Sequence, residues 1–147
     1  DTLTATIFIF MSPECPLCIN YTRSVLQLVK KFDGSPVQFI MVYPGSYYTP
    51  AQFAEFRREY KLDMLSLLDP SCRLSKLLSA TVTPEAVVLN EKGEQVYSGA
   101  IDDWAFAPGK KRQVVTKKYL ENAINEVLQG NNPGLKRTEP VGCYIEL

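Results

Sequence analysis

Histidine is absent from the sequence. Its absence excludes catalysis by Ser-His-Asp or Cys-His groups and the common metal sites that are built on imidazole. Any proton transfer must therefore use a carboxylate, a thiol, a tyrosine, a lysine or water.

The sequence also lacks an excess of either charge and a long apolar run. Its 16 basic and 16 acidic residues give a formal net charge of zero. It has neither a basic stripe of the kind that binds nucleic acid nor a polybasic run of the kind that binds an anionic membrane. The apolar run at residues 7–11 is far shorter than the ~18 residues that a membrane span needs. We therefore expect no nucleic-acid partner and no membrane span. We also expect a monomer.

Cysteine is scarce, with four residues in a chain of 147. This is not the density of a small domain stapled by disulfides. With 46% hydrophobic residues, the chain is long enough for one domain with its own core. We expect that domain at residues 1–130, with a tail at 131–147 packed on it.

Apolar periodicity and turn residues predict the element order β-α-β-α-(β)-α-β-β-α. We expect strands at 4–11, 37–43, 65–68, 85–90 and 94–98, and helices from 15 or 16 to Gly34, from 49 or 50 to 60, at 71–78 and at 116–128. Asp69 or Ser71 should cap the third helix and Thr116 the last. The first two strands should be parallel with a right-handed crossover, and the later hairpin should add antiparallel strands. The sequence therefore predicts an α/β fold with a central mixed sheet flanked by helices.

Two of the cysteines form the motif Cys15-Pro16-Leu17-Cys18 between the first strand and the first helix. Pro16 suits the first helical turn, where its missing N–H costs nothing. At a helix start, unpaired backbone N–H groups and the positive dipole end can lower a cysteine pKa from ~8.5 to somewhere within roughly 3.5–7.5. We therefore assign attack on a partner's disulfide to Cys15 and resolution of the mixed disulfide to Cys18.

Two other interpretations of this pair stay open. It could be half of a structural zinc site, although such a site needs a second ligand pair, and the other cysteines stand alone at 72 and 143. It could also consist of unreactive core cysteines.

At these residues the chain resembles the thioredoxin superfamily. The resemblance covers nearly the whole chain and rests on the cysteine motif, on Thr83-Pro84 before the hairpin and on the element order. It implies a thioredoxin-like fold in which the Thr83–Pro84 bond is cis and lies against the cysteine pair. It also implies that the backbone of this loop pairs with the extended chain of the substrate.

A narrower resemblance is to the redoxin branch, the AhpC/TSA-like and ResA/TlpA-like exported thioredoxins. It rests on residues 83–89 together with Gly93, and on residues 97–103, 109–112 and 142–145. It implies a bacterial protein that is exported, periplasmic or membrane-tethered. Its partners would be protein thiols and disulfides and an upstream electron donor or acceptor, with no cofactor beyond a redox-active Cys15–Cys18 disulfide. Asp102, Asp103 and the basic run at 110–112 could form a rim that selects a partner, or a solvated loop.

The chain departs from thioredoxin around the motif. Glu14 replaces a tryptophan before Cys15, and its carboxylate should raise the pKa of that thiol. Ile9 stands where thioredoxin carries a buried acid that accepts a proton. Glu14 and Glu85 are the nearest substitutes along the sequence, although Glu85 suits a solvated strand end equally well. Tyr21 could donate a hydrogen bond to the site or pack in the core.

The two remaining cysteines leave three interpretations open. Cys72 follows a predicted cap and is typical of a small buried hydrophobe, whereas Cys143 lies in the tail. Cys143 could form a structural disulfide with Cys72, could dock near Cys15 as a third redox thiol or soft-metal ligand, or could be buried and free.

The function that these residues predict is thiol-disulfide oxidoreduction. One alternative is a peroxiredoxin-like peroxidase, which usually has Thr three residues before the reactive cysteine, where this chain has Ser12. Another is a Sco-like Cu(I)-binding protein, because soft thiolates select Cu(I). Without histidine, only Cys143 or Cys72 could complete a copper site with Cys15 and Cys18.

Overall fold

The computed structural model describes residues 3–147, which form nine strands and four helices. The strands are β1 (Ala5–Phe10), β2 (Val37–Pro44), β3 (Leu65–Asp69), β4 (Val82–Thr83), β5 (Glu85–Asn90), β6 (Gln95–Gly99), β7 (Ala105–Ala107), β8 (Lys110–Lys111) and β9 (Cys143–Tyr144). The helices are α1 (Pro16–Lys31), α2 (Pro50–Glu59), α3 (Arg73–Leu77) and α4 (Tyr119–Leu128).

Five strands form the central sheet in the order β3-β2-β1-β5-β6. β1 is parallel to β2, and β2 is parallel to β3, whereas β5 is antiparallel to both β1 and β6. The predicted parallel start and antiparallel hairpin within one sheet are therefore confirmed. The pairs β4–β9 and β7–β8 form two small separate sheets that the sequence analysis did not predict.

Strand β1 lies in the middle of this sheet. Ile7 and Ile9 contribute to the larger hydrophobic cluster, which also contains the inner faces of α1, α2 and α4. Phe8 and Phe10 contribute to a smaller cluster on the opposite face of the strand. Full burial of a side chain of this size stabilises a fold by roughly 1.5–3 kcal/mol. The nearly continuous apolarity of β1 follows from this burial on both faces.

Helix α1 begins where the sequence predicted, with Cys15 as its N-cap residue and Pro16 in its first turn. Tyr21, Val25 and Leu28 are buried at helical spacing. This apolar stripe packs α1 on the sheet and fixes the direction in which its N-terminus points. In residues 3–147, no helix combines the length and the apolar character that crossing a membrane requires.

The predicted start of the last helix is wrong. Helix α4 begins at Tyr119, and Thr116 does not cap it. The backbone N–H and the hydroxyl of Thr116 both donate to the carboxylate of Asp103 instead. The N-cap residue of α3 is Cys72, and not Asp69 or Ser71 as predicted. The carboxylate of Asp69 nevertheless accepts the N–H groups of Leu74 and Ser75 in the first turn of this helix.

The tail at residues 131–147 runs along β6 and then returns to the start of α1. Ser98 of β6 donates its N–H to the carbonyl of Lys136 and accepts the N–H of Thr138, each at 3.1 Å. The hydroxyl of Thr138 accepts the N–H of Ala100 at 2.8 Å. Beyond this anchor, β9 pairs with β4 and brings Cys143 to the cysteine motif.

Candidate active site

The cysteine motif and the Thr83–Pro84 loop meet at one end of the central sheet. Phe10 pairs with Glu85 in the β1–β5 ladder, so the segment after β1 and the segment before β5 leave the sheet side by side. The first segment carries Cys15 and the second carries Thr83, whose carbonyl oxygen lies 3.4 Å from Cys15 Sγ. The Thr83–Pro84 peptide bond is cis.

A disulfide joins Cys15 to Cys143, 128 residues further along the chain. Their Cα atoms are 6.1 Å apart, within the ordinary span of such a bond. The antiparallel pairing of Cys143 with Thr83 brings the tail sulfur to this position. Of the three interpretations of Cys143, docking beside Cys15 is the one that the structure confirms.

Cys18 and Cys72 are both free and buried. The interpretation in which Cys72 and Cys143 form a structural disulfide is therefore wrong, because the tail places Cys143 beside Cys15 instead. The Sγ of Cys72 approaches the carbonyl oxygen of Glu146 at 3.6 Å. The redox-active Cys15–Cys18 disulfide is not the bond seen in this structure and stays a prediction.

Burial raises the pKa of the Cys18 thiol to about 12. Hydrogen bonds from the Thr83 side chain and from the backbone N–H of Ser12, the latter at 3.4 Å, favour the thiolate but offset only part of this effect. Cys18 is therefore a protonated thiol near neutral pH. Such a group suits the resolving role, because it becomes nucleophilic only after losing its proton.

The contact between Cys15 and Thr83 depends on the redox state. A disulfide sulfur carries no hydrogen, so in this structure the 3.4 Å approach is a packing contact. A reduced Cys15 thiol in the same place would donate a hydrogen bond to the Thr83 carbonyl. As the N-cap residue of α1, Cys15 also adjoins the positive end of the helix dipole, which favours its thiolate.

Glu85 is completely buried and is not a solvated strand-end residue. Directly paired residues of antiparallel strands share a face, so its side chain lies on the side of Phe10 and away from the cluster that holds Cys15 and Cys18. It therefore does not replace the missing acid of thioredoxin beside the cysteine pair. Its carboxylate instead accepts the backbone N–H of Thr81 at 3.0 Å and holds the loop before the cis bond.

The other predicted site residues lie at the surface of the motif or outside it. Glu14 is exposed beside Cys15, and Pro16 is exposed in the first turn of α1. The hydroxyl of Tyr21 donates to the Asp102 carboxylate at 2.7 Å within the core. Tyr21 therefore combines core packing with a hydrogen bond, and its partner is not a cysteine.

Asp102 and Asp103 form neither a partner-selecting rim nor a solvated loop, because both side chains are buried. Asp102 Oδ1 accepts the N–H of Trp104 at 2.9 Å, and Asp103 pairs with Arg112 at 3.2 Å. These carboxylates organise the chain before α4. The exposed cations of β8 lie on the β7–β8 hairpin.

A cleft of about 710 Å³ opens beside the disulfide. Its lining includes Cys15, Thr83, the end of the tail, Tyr47 and Tyr48. Within residues 3–147, no group of three or more cysteine, aspartate or glutamate side chains is arranged to hold a metal ion. Sequence reasoning missed the β4–β9 pairing that shapes this cleft.

No protein-family model and no curated protein matches the sequence. Solved structures do match. An uncharacterized conserved protein from Geobacillus kaustophilus superposes with a TM-score of 0.86 at 20% identity, covering 99% of this chain and 78% of that one. A thioredoxin-like protein in its oxidised form has a TM-score of 0.66 at 17% identity, covering 88% of this chain and 80% of that one.

This chain has a thioredoxin-like fold. A secreted Mycobacterium tuberculosis disulfide oxidoreductase homologous to E. coli DsbE also matches, with a TM-score of 0.57 at 14% identity over 86% of this chain and 81% of that one. Within the thioredoxin-like fold, Cys15 stands at the N-terminus of the first helix, next to the loop that precedes the antiparallel hairpin. The tail strand β9 adds a third segment at that position.

Proposed function

We propose that the protein is a thiol-disulfide oxidoreductase that acts on protein disulfides, with Cys15 attacking and Cys18 resolving. One observation chiefly supports this proposal. Cys15 carries a disulfide to an extended segment paired beside it, while Cys18 remains a free thiol in the first turn of the same helix. This is the arrangement of a mixed disulfide whose resolving thiol has not yet reacted.

The reaction would proceed in two exchanges. The Cys15 thiolate attacks one sulfur of the substrate disulfide, and the other substrate sulfur leaves and takes up a proton. Cys18 then loses its proton and attacks Cys15 Sγ, which forms the Cys15–Cys18 disulfide and releases the second substrate thiolate to be protonated. The protein is oxidised by two electrons and the substrate is reduced by two. The reverse sequence oxidises a substrate dithiol, and neither direction uses a cofactor.

The Thr83–Pro84 loop would bind the substrate chain in this mechanism. Its carbonyl faces Cys15, and β4 takes part in an antiparallel ladder with an extended segment. Protein thiols or disulfides are therefore the substrates that fit, with a second protein or small thiol returning the cysteine pair to its starting state. Export across a bacterial membrane is consistent with this role, and detection of the native protein in a periplasmic or membrane fraction would test it.

Cysteine variants test the proposal. With insulin as the disulfide substrate and dithiothreitol as the reductant, Cys15→Ser should abolish turnover and trap no mixed disulfide. Cys18→Ser, made in a Cys143→Ser background so that the tail thiol cannot resolve the intermediate, should also stop turnover. When this reduced double variant is mixed with insulin in the absence of dithiothreitol, it should accumulate a Cys15–substrate mixed disulfide, visible by mass spectrometry. Cys72→Ser is the matched control and should behave as the wild type. Full activity in both of the first two variants would contradict the proposal.

A further inference from the structure

Strand β9 has the geometry of a bound substrate. It pairs antiparallel with β4, and its cysteine is joined to Cys15 by a disulfide. We propose that β9 is an intramolecular substrate: Cys143 is a third redox cysteine that exchanges disulfides with Cys15 and Cys18, and external substrate segments replace β9 on the edge of β4. The inference rests on the disulfide exchange proposed above.

Hydrogen bonds fix the position of the β4 segment, whose edge can pair with one extended chain. The carboxylate of Glu85 accepts the N–H groups of Thr81 and Val82 at 3.0 and 3.3 Å and pairs with Arg137 at 3.1 Å. These bonds fix the loop from one side. From the other side the tail donates the N–H of Ile145 to the Thr81 carbonyl at 2.9 Å. An extended segment of another protein would meet the same backbone groups once β9 and Ile145 had been displaced.

The disulfide is the covalent restraint on β9, and the non-covalent contacts of this strand are few. The strand is two residues long and pairs with two residues of β4. Even complete two-stranded hairpins are only marginally stable in water. Tyr144 is 87% exposed, so its side chain adds little burial. Ile145 packs against the smaller hydrophobic cluster and provides a modest apolar contact. Breaking the bond to Cys15 therefore leaves a segment that another chain can displace.

The displaced tail stays close to the site. Its anchor at Thr138 bonds to the hydroxyl of Tyr97 at 2.6 Å and to the N–H of Ala100 at 2.8 Å, and neither bond depends on the disulfide. Cys143 follows this anchor by only five residues. A thiol on so short a tether competes at an effective concentration on the order of millimolar. Closing of the site by β9 is therefore reversible.

The exchange needs no external oxidant or reductant. Cys18 gives up its proton, and its thiolate attacks Cys15 Sγ. The Cys15–Cys143 bond breaks as the Cys15–Cys18 bond forms, and Cys143 leaves as a thiolate that takes up a proton. One disulfide and one thiol are present before and after. The exchange therefore converts a closed form, with β4 occupied, into an open form of the same oxidation state.

The tail also indicates which external segments fit. A Cβ atom at Gly142 would overlap the backbone carbonyl of Thr83, so the residue before the substrate cysteine must be small. The residue after the cysteine, represented by Tyr144, faces solvent and is unrestricted. We therefore expect extended segments with a Gly-Cys pair to be the preferred class of substrate.

A tryptic disulfide map of the oxidised full-length protein tests the exchange. After free thiols are alkylated, trypsin places Cys15 and Cys18 in residues 1–23, Cys72 in residues 62–73 and Cys143 in residues 138–147. We expect the wild type to yield the 1–23 fragment linked to 138–147, together with a fraction that has an internal disulfide. Cys143→Ser should give only the internal disulfide. Absence of the 138–147 linkage in the wild type would overturn the inference.

A peptide probe tests replacement of β9. The probe is TEPVGCYIEL, the sequence of residues 138–147, with its cysteine activated by thionitrobenzoate. Reduced Cys143→Ser protein should attack it about tenfold faster than a peptide carrying Gly142→Ala, a difference of roughly 1.4 kcal/mol in the barrier. Equal rates for the two peptides would overturn the proposed binding mode.

A third measurement separates failure of this inference from failure of the proposed function. Ellman's reagent is too small to need strand pairing, so it should react with Cys15 of a reduced protein that carries both Cys143→Ser and Cys72→Ser, in which Cys15 and Cys18 are the remaining thiols. If that reaction occurs while the two peptides react equally, only the inference about β9 fails. If Cys15 does not react even with Ellman's reagent, the oxidoreductase function itself fails.

Discussion

Gly142 lies against the backbone carbonyl of Thr83 so closely that even a methyl side chain at position 142 would overlap it. The obstacle is backbone, which cannot rotate away as a side chain could. The contact sits immediately before Cys143, whose own pairing with Thr83 brings the tail sulfur to Cys15. The absence of a side chain at position 142 thus allows the close approach of the tail to Thr83 that places Cys143 at Cys15.

Gly142→Ala should weaken the closed form without removing any thiol. Overpacking typically costs about 1–3 kcal/mol, so the ratio of Cys15–Cys143 to Cys15–Cys18 disulfide should fall by at least about fivefold. The ratio is measured from tryptic fragments of the oxidised protein. Gly134→Ala is the control, because nothing lies within 4 Å of a Cβ atom there. An unchanged ratio in Gly142→Ala would show that β9 does not need this close approach.

The raised pKa of Cys18 should set the pH dependence of resolution. Burial raises this pKa to about 12, so the thiolate fraction, and with it the rate of attack on Cys15, should rise about tenfold per unit from pH 7 to 10. The Cys143→Ser protein, carrying thionitrobenzoate on Cys15, reports this rate as the release of coloured thionitrobenzoate.

Neighbouring groups should not distort that profile. Burial also raises the pKa of Tyr43 to about 12, so this tyrosine stays neutral through the measured range. Burial raises the pKa of Tyr48 in the same direction. Cys18→Ser in the same background should release nothing. A rate that levels off below pH 9 would indicate that some group lowers the Cys18 pKa in the mixed disulfide.

The sequence allowed the central sheet to be predicted because its signals are local. A few neighbouring residues are enough to recognise each of three features: the apolar run of β1, the helix that begins at Pro16 and the turn around Gly93. The cysteine motif was placed correctly for the same reason, since Pro16 and the apolar stripe of α1 fix the helix start.

The tail and its disulfide could not be predicted in this way. Strands of two residues, such as β4 and β9, are too short to show a period, and only tertiary structure brings them together. The burial of Glu85 depends on its pairing with Phe10 and on Arg137 from the tail. Both contacts join residues that are far apart in the sequence. The residues next to Glu85 in the sequence indicate only that it is a polar residue at the end of a strand.

Glu85→Ala should destabilise the fold substantially. It would leave the N–H groups of Thr81 and Val82 without their acceptor and Arg137 without its buried partner. Because Arg137 is 45% exposed, we expect a loss of about 3 kcal/mol, the lower end for a broken buried pair. Urea unfolding measures this loss. Glu85→Gln should recover part of it through its amide oxygen, whereas the exposed Glu91→Ala should change little.

Asp103 should make stability depend on pH at the acid end. Burial alone would raise the pKa of Asp103, but hydrogen bonds from Thr116 and Lys117 and the charge of Arg112 outweigh it and lower the pKa to about 2. A carboxyl whose pKa is depressed on folding stabilises the fold above its unfolded pKa. That contribution, about 2 kcal/mol, is lost as the pH falls from about 4 through 2.

Asp103→Asn removes this titration and keeps the shape of the side chain. The wild type should therefore exceed Asp103→Asn in stability by about 2 kcal/mol at pH 6, and the difference should shrink towards zero near pH 2. Asp69, whose pKa is also lowered, is common to both proteins and cancels in the difference. The exposed Asp33→Asn is the control for the substitution itself and should change stability little at pH 6. A difference between wild type and Asp103→Asn that stays constant from pH 6 to 2 would mean that the neutral hydrogen bonds, and not the charge, hold this loop.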